Sequence, residues 1–267
     1  MLDTAGYEHI RSWLNQRCGI DYPERKKELL RHRLGRVVSR FGFVDLNELA
    51  NQLDKGTSSD LQLAVMHAAS TNHTFFFREP QVLDFFQDHI LPAYAHRDAI
   101  RIWSAASSSG DEAYTLAIIA AETFGRAAVG SRVAILGTDI SEPVVERAEA
   151  ATYTTNHLEQ IDESILGRYF VRADLDRYRV VDDIRRLCTF RRMNLKATPY
   201  PFRRNFQVVF CRNVLYYFDR EHQIATLESL YEVTEPGGWL VTSITEAIRD
   251  LGTHWRPVAS GVYRKLS

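Results

Sequence analysis

The sequence predicts an α/β protein in two parts: a small all-helical N-terminal region, then a mostly parallel, doubly wound sheet with helices on both faces. Three observations predict it. Through the first 70 residues, apolar side chains recur at three-to-four spacing. From about residue 100, short apolar runs alternate with helical stretches. The composition, 45% hydrophobic and 25% charged over 267 residues, is that of a chain able to bury a sizeable core.

Each element has its own signal. Tyr7, Ile10, Trp13 and Leu14 mark a first amphipathic helix, with Gly19 as its stop. Pro23 stands where a second helix would begin, predicted over 23–41, with Leu29, Leu30, Leu34 and Val37 on one side. Its other positions are basic: Arg25, Lys26, Lys27, Arg31, Arg33, Arg36 and Arg40, opposed by Glu28 alone. Such a run is either a solvated face or a docking surface for an acidic partner. Further helices are predicted at 45–53 and 60–69. The helical region ends at the polar stretch Ser70-Thr71-Asn72-His73-Thr74, which divides the chain into parts 1–75 and 76–267. Strands are predicted at 99–105, 132–138, 206–211 and 238–243, with helices at 111–124, 142–150 and 220–234. The segment 169–190, with Tyr178, Val180, Val181 and Ile184, suggests a small β-hairpin inserted in the second part.

Composition also excludes function classes. Thirty-three basic against 34 acidic residues leave a net charge of −1, so no bulk attraction to nucleic acid or an anionic membrane is expected. The longest apolar stretch, 113–121, is far short of the roughly 20 residues a membrane span needs. Met1, Leu2, Asp3 and Thr4 do not open a secretory signal. Cys18, Cys188 and Cys211 have neither metal nor redox spacing, and the histidines form no ligand cluster. Reduced thiols, a cytoplasmic location and no metal site are the expectations.

Four segments are candidates for chemistry. In Trp103-Ser104-Ala105-Ala106-Ser107-Ser108-Ser109-Gly110-Asp111-Glu112, a strand runs through small residues into a helix. This is where a doubly wound sheet binds ligands, or a plain serine-rich βα turn with acidic capping. The strand ending in Thr138-Asp139 places a carboxylate where ribose hydroxyls are held, unless Asp139 merely caps the helix that follows. Together the two segments favour a nucleoside ligand. Phe210-Cys211-Arg212-Asn213-Val214-Leu215-Tyr216-Tyr217-Phe218 puts a polar pair at a third strand end. There Cys211 reads as a core thiol more readily than as a nucleophile. Last, Thr71-Asn72-His73-Thr74-Phe75-Phe76-Phe77-Arg78-Glu79-Pro80 reads as a buried joint between the two parts, with Arg78 either paired with Glu79 or a surface carboxylate, or supplying a fixed charge to a boundary site.

These segments, in this order, resemble the chemotaxis receptor methyltransferases, the CheR family, over nearly the whole chain. Pro236-Gly237-Gly238 before a late strand also fits S-adenosylmethionine-dependent methyltransferases generally. The resemblance implies a Rossmann-like methyltransferase domain. Its implied activity is transfer of a methyl group from S-adenosylmethionine to glutamate side chains on the cytoplasmic helices of methyl-accepting chemoreceptors, leaving S-adenosylhomocysteine. By residue matching it implies that Asn72, Thr74, Arg78, Glu112, Asp139, Asn194, Leu195, Arg212 and Asn213 contact the cofactor. Arg78 and Tyr217 match the pair that orients the reacting groups, and the basic second helix matches the receptor-docking element. The family loop usually reads Ser-Ala-Gly-Cys-Ser-Thr-Gly-Glu-Glu; here Ala106, Ser107, Ser109 and Asp111 depart from it. Ala106 matters most, because a methyl group there crowds the cofactor or opposes a glycine-only dihedral. It motivates an alternative reading, a catalytically weakened S-adenosylmethionine-binding regulatory module. The Gly-rich insertion with which some members bind a receptor's C-terminal pentapeptide has no counterpart in 169–190, so tethering of that kind is not expected.

Overall fold

The computed structural model describes residues 4–56, 58–70 and 73–266. Four helices come first: α1 (Thr4–Cys18), α2 (Lys27–Phe41), α3 (Leu46–Lys55) and α4 (Ser59–Ala69). Their apolar stripes meet in a core of Tyr7, Ile10, Leu14, Leu30, Leu34, Leu49 and Val65. The ends follow local chemistry. Asp45 caps α3 by accepting the Glu48 N–H at 2.9 Å, while Glu48 reaches back past the cap to the Val44 N–H at 2.7 Å, a variant of the capping box shifted by one residue. The second helix starts later than its sequence pattern predicts. Pro23 opens a 3-10 turn, Glu24–Lys26, and Lys26 at φ −105° and ψ 8° interrupts α geometry before α2 begins.

Residues 80–93 form a helical run that periodicity did not predict: α5 (Pro80–Phe85), a π turn (Phe86–Ile90) and α6 (Leu91–Ala93). The π turn inserts an extra residue and breaks the 3.6 pattern. Val82, Leu83, Phe86, Ile90 and Leu91 are nevertheless buried, and Phe86 meets Phe210 edge-on at 5.2 Å.

The main sheet is built from β1 (Ile100–Ser104), β2 (Val133–Asp139), β6 (Cys188–Arg192), β7 (Phe206–Phe210), β8 (Thr234–Val241), β9 (Arg256–Ala259) and β10 (Val262–Arg264). Its order is β6-β2-β1-β7-β8-β10-β9, parallel from β6 to β8 with an antiparallel pair at one edge. Helices α7 (Asp111–Phe124), α8 (Arg126–Arg132), α9 (Glu142–Ala150) and α12 (Arg220–Glu232) alternate with the strands. Strand β7 is buried along its whole length, which is why it reads as a continuous apolar run. Val208 and Phe210 join the core under α7, while Val209 and Cys211 join the core under α12. Burial pushes the Cys211 thiol well above its usual value, in keeping with a packing role.

The insertion is larger than a hairpin. Strands β4 (Phe170–Arg172) and β5 (Arg177–Val180) pair antiparallel, and β3 (Thr152–Thr154) adds to β5 from upstream. Helices α10 (Glu163–Tyr169) and α11 (Asp182–Arg185) flank it. The end of the 169–190 segment leaves the insertion altogether, because 188–192 is the parallel edge strand β6. Three residues of β3 are too few to show alternation, and β6 buries only Phe190 fully. The late pair β9 and β10, equally short, also escaped the sequence pattern. Among the described residues, no helix is long and apolar enough to cross a membrane.

The helical part is fastened to the sheet at the end of α1. Lys196 Nζ donates to the carbonyls of Asn15 and Gln16 at 2.9 and 2.8 Å, and Asn194 Nδ2 to that of Arg17 at 2.7 Å. These are carbonyls a helix C-terminus leaves unpaired, and a cation there also meets the negative end of the dipole. Asp219 caps α12 through the His222 N–H at 2.9 Å and accepts Asn15 Nδ2 at 3.2 Å. The same N–H, with the His222 ring and Asn15 amide, holds its carboxyl down to about 2. A folded pKa below the unfolded value near 3.9 gives stability that is present above about pH 4 and lost as pH falls toward 2. Asp219→Ala should therefore cost about 1 kcal/mol in urea unfolding at pH 7. Its deficit should shrink between about pH 4 and 2, where the wild type loses the same interaction.

Candidate functional site

Chain order reverses beside β1, with β2 to one side and β7 to the other. The carboxyl-end loops of these three strands diverge around a crevice, as the topology requires. That crevice encloses about 980 Å³ of space including its open mouth. Ala105, Ala106 and Ser108 line it after β1, Asp139 and Ile140 after β2, and Arg212, Asn213 and Tyr217 after β7. Cys18 and Ile20 close one side from the helical part, and an Ile20–Phe218 β-bridge holds that wall in place.

Within the loop after β1, the backbone answers the question that Ala106 raised. The left-handed positions are Ser108 at φ 48° and Gly110 at φ 91°, and Ala106 is at neither. Alanine therefore carries no dihedral penalty there, and the loop's dihedral demands fall elsewhere. Gly110 has a second constraint: a Cβ would stand 2.9 Å from the Ala148 Cβ. The turn brings the Ser108 N–H to Asp139 Oδ2 at 3.0 Å, while Asp139 Oδ1 accepts the Ser141 N–H at 3.0 Å. One acceptor site on each oxygen is thereby used, leaving others for a ligand. Burial raises the Asp139 pKa, against the pull of those two amides and of the Ile140 N–H. Ile140, Met193 and Leu195 supply apolar wall beside it.

A charged cluster forms the opposite wall. Arg212 is nearly buried; its guanidinium donates to Glu112 Oε2 at 3.0 Å, lies 3.4 Å from Glu79 Oε2 and also reaches the Arg78 carbonyl. Ser104 Oγ donates to Glu112 Oε1 at 2.7 Å. Burial lifts Glu112 above the usual carboxylate range, opposed by Arg212 and Ser104. For Glu79, burial is outweighed by hydrogen bonds from Asn213 and Ser243 and by Arg212, and its pKa falls. Arg78 projects into the crevice with its guanidinium 5.5 Å above the Phe75 ring, Nη1 donating to the His73 carbonyl at 3.2 Å. The three phenylalanines separate: Phe75 lines the crevice, Phe76 packs edge-on against Tyr153 and Phe170 at 4.9 and 5.3 Å, and Phe77 donates its N–H to Thr115. Tyr217 faces the same space, and its hydroxyl accepts from Tyr216 at 3.3 Å. Burial raises the Tyr216 pKa, with the bond to Tyr217 adding to it.

The fold thus gathers Thr74, Arg78, Glu112, Asp139, Asn194, Leu195, Arg212, Asn213 and Tyr217 around one crevice. Asn72 lies outside the described residues. The basic residues of the second helix do not share one environment. Lys27 pairs with Glu24 and Glu8, and Arg31 lies over the Tyr7 ring at 5.6 Å. Arg33 donates to the Ser70 carbonyl at 3.1 Å. Lys26 stands 5.7 Å over the Tyr217 ring, and Arg25 is exposed. Arg36 and Arg40 line a separate groove with His67.

Sequence reading missed several residues that shape the crevice: Cys18 and Ile20 in its wall, Glu246 behind it and His157 beneath its loop; Glu79 it offered only as a partner for Arg78, which lies 3.9 Å away, and not as a partner of Arg212 and Asn213. None carries a local signal, because each acts across more than 30 positions of chain. An S-adenosyl ligand fits what is present. Small side chains line the approach to a backbone cradle, a strand-end carboxylate has acceptor capacity to spare, and apolar wall stands beside it. The carboxylates Glu112 and Asp139 suit the ligand's positive charge.

Comparison with known proteins agrees. A family model described as the CheR methyltransferase SAM-binding domain matches residues 72–263, and the CheR all-alpha domain model matches 5–67. A chemotaxis protein methyltransferase of Vibrio parahaemolyticus is 33% identical over 256 residues, covering 92% of this chain and 90% of that protein. One from Borreliella burgdorferi is 32% identical over 237 residues, covering 86% and 84% respectively. One from Escherichia coli strain K12 is 31% identical over 248 residues, covering 92% and 85%.

The loop also has an ionic brace. His157 Nε2 contacts the fully buried Asp111 carboxylate, Ser109 Oγ donates to Asp111 at 2.7 Å, and Tyr153 OH donates to the Ser109 carbonyl at 2.7 Å. The bond to Asp111 raises the His157 pKa, against partial burial. Stability from this contact is complete below the unfolded histidine value of about 6.5 and is lost as pH rises through the higher folded value. His157→Phe keeps a ring stacked on Tyr153. The Tm gap between wild type and this variant should be widest at or below about pH 6.5 and narrow toward pH 9. A gap constant with pH would show the brace to be packing alone.

Proposed function

The chain belongs to the CheR methyltransferase family, and from that premise we propose that it methylates glutamate side chains on the cytoplasmic helices of chemoreceptors, forming γ-methyl esters. S-adenosylmethionine is its cofactor. The observation that carries the proposal is the placement of Arg78 and Tyr217 on one crevice with Asp139 and Glu112.

When bound, S-adenosylmethionine supplies an electrophilic methyl group on a cationic sulfur. The chain's residues have the remaining tasks. Asp139 accepts the ribose hydroxyls with its unused acceptor positions, while Ser108 and Ser141 hold the carboxylate still. Glu112 and Asp139 offset the ligand's positive charge. Asn194, Leu195 and Asn213 complete its contacts, Thr74 lines the same crevice, and the family resemblance gives Asn72 a cofactor contact as well. An acceptor glutamate is already ionised near pH 7, its reference pKa being about 4.3, so no general base is needed. Arg78 can hold that carboxylate in a bidentate fork, and the Tyr217 hydroxyl can orient it without taking a proton. Arg78 and Tyr217 would hold the glutamate oxygen in line with the methyl carbon that the ligand would supply with loss of its sulfur–carbon bond, giving neutral S-adenosylhomocysteine. Alignment is the main contribution asked of the protein.

Receptor docking falls to the exposed and groove-lining cations Arg25, Arg36 and Arg40, with Lys26 nearer the mouth beside Tyr217. Arg33 supports this surface from behind through Ser70. The turn between β4 and β5, residues 173–176, contains no glycine, which supports docking without a pentapeptide tether. The boundary between the parts is placed at 75/76. The weakened-module alternative loses its dihedral motive, since Ala106 is not in the left-handed region.

Calorimetry with S-adenosylhomocysteine should show micromolar binding that Asp139→Ala abolishes. Radiolabelled methyl groups should then pass to receptor fragments as base-labile esters. Binding without transfer would favour the regulatory module, and no binding at millimolar ligand would overturn both readings. Turnover on receptor fragments should also fall as salt rises from about 0.01 to 0.3 M, because the Debye length shrinks from about 30 Å to well under 10 Å. Salt-insensitive turnover would argue against electrostatic docking.

A further inference from the structure

Glu246 lies in the turn after β8, 6% exposed and set back from the crevice lining. The chemistry above does not use it. Its carboxylate nevertheless receives three backbone N–H groups from two loops. Oε2 accepts from Asn213 at 2.6 Å and from Ser243 at 3.3 Å, and Oε1 accepts from Tyr216 at 3.4 Å. One side chain therefore joins the loop after β7 to the loop after β8.

The residue it grips hardest is also strained. Asn213 has φ 57°, a conformation that costs a non-glycine residue on the order of 1 kcal/mol and persists only where its surroundings over-determine it. A second carboxylate holds the same residue by its side chain. Asn213 Nδ2 donates to Glu79 Oε1 at 3.1 Å, and Glu79 also takes the Ser243 hydroxyl at 2.9 Å and the Ile244 N–H at 3.1 Å. Among the described residues, five other than glycine have positive φ, and four of them, Phe77, Glu79, Ser108 and Asn213, belong to the segments around the crevice. The distortion is concentrated where side chains must point inward.

We propose that Glu246 is a positioning residue for methyl transfer: its carboxylate fixes the 213–217 turn, so that Asn213 faces the cofactor and Tyr217 faces the acceptor glutamate. This rests on the roles given above to Asn213 and Tyr217. Without the carboxylate, three N–H groups lose their acceptor, and Asn213 is free to relax toward negative φ, carrying Tyr217 with it. Glutamine is the graded probe. Its single carbonyl oxygen can serve one side of the clamp, while its NH₂ group opposes an N–H on the other.

The test uses the full chain as Glu246→Gln and Glu246→Ala, each alone and combined with Tyr217→Phe. In ligand-free protein, amide exchange of peptides covering 213–217 should accelerate, with the rest of the sheet unchanged. Affinity for S-adenosylhomocysteine should weaken about 3- to 10-fold through Asn213. The kcat on receptor fragments should fall at least about 10-fold in the wild-type background but under about 3-fold in the Tyr217→Phe background, since a group acting through Tyr217 is non-additive with it. Glu246→Gln should retain more activity than Glu246→Ala. Wild-type exchange and kcat in Glu246→Gln, equal losses in both backgrounds, or acceleration of exchange throughout the chain would each overturn the proposal. If the wild-type protein methylates no receptor fragment, the substrate reading fails. Exchange and S-adenosylhomocysteine affinity then still decide whether Glu246 fixes the turn.

Discussion

The site depends on one buried cation. Arg212 leaves the end of β7 and lies between Glu112, in the first turn of α7, and Glu79, immediately before α5. Three segments distant in sequence are pinned by one guanidinium. Removing either partner of a buried pair leaves an uncompensated charge, typically costing about 3–5 kcal/mol, so the segments are held together rather than merely adjacent. The bond from Arg212 to the Arg78 carbonyl extends this control to the second arginine, whose side chain remains available to the crevice. One arginine is thus buried among carboxylates and the other lines the crevice, and their residue type does not distinguish them.

A second constraint joins the helical part to the crevice. Lys196 and Asn194 satisfy the last carbonyls of α1, and Asp21 donates its N–H to the Tyr217 carbonyl at 2.7 Å. Cys18 and Ile20 are therefore wall residues of the cofactor crevice rather than part of a detached docking module. Arg33 reaches the Ser70 carbonyl just ahead of the segment that carries Thr74 and Arg78. A receptor helix seated against α2 would consequently rest on an element braced to the crevice from two directions.

The loop after β1 shows how a departure from a familiar motif is judged by its backbone. Ala106 replaces a glycine, yet the left-handed positions are Ser108 and Gly110. Ser109 and Asp111, two further departures, bond to each other and to the insertion through Tyr153 and His157. The replaced residues form a consistent local set. The three-stranded insertion consequently braces the cofactor loop as well as extending the fold.

Much of this was legible in the sequence, for identifiable reasons. Apolar periodicity marked α1, α3, α4 and α7 to within a few residues, because each buries one continuous stripe or, for α7, nearly its whole surface. The inner parallel strands β2 and β7 were visible as mainly apolar runs because both faces of their sheet are covered, whereas the edge strand β6 was not. Strand-end loops are chemical positions in any doubly wound sheet, so Asp139, Arg212 and Asn213 stood out once the strands were drawn. Elements of three or four residues, such as β3, β9 and β10, were too short to carry a period, and the π turn after α5 destroyed one. The sequence by itself determined the order of the longer helices and inner strands, the two-part division and the residue types offered at those strand ends. Only the tertiary structure decided which of two arginines is buried, which loop residues take left-handed backbone, and that Glu79 and Glu246 grip one asparagine from separate loops. Those outcomes depend on partners far apart in the chain, and distance in space is not encoded in local pattern.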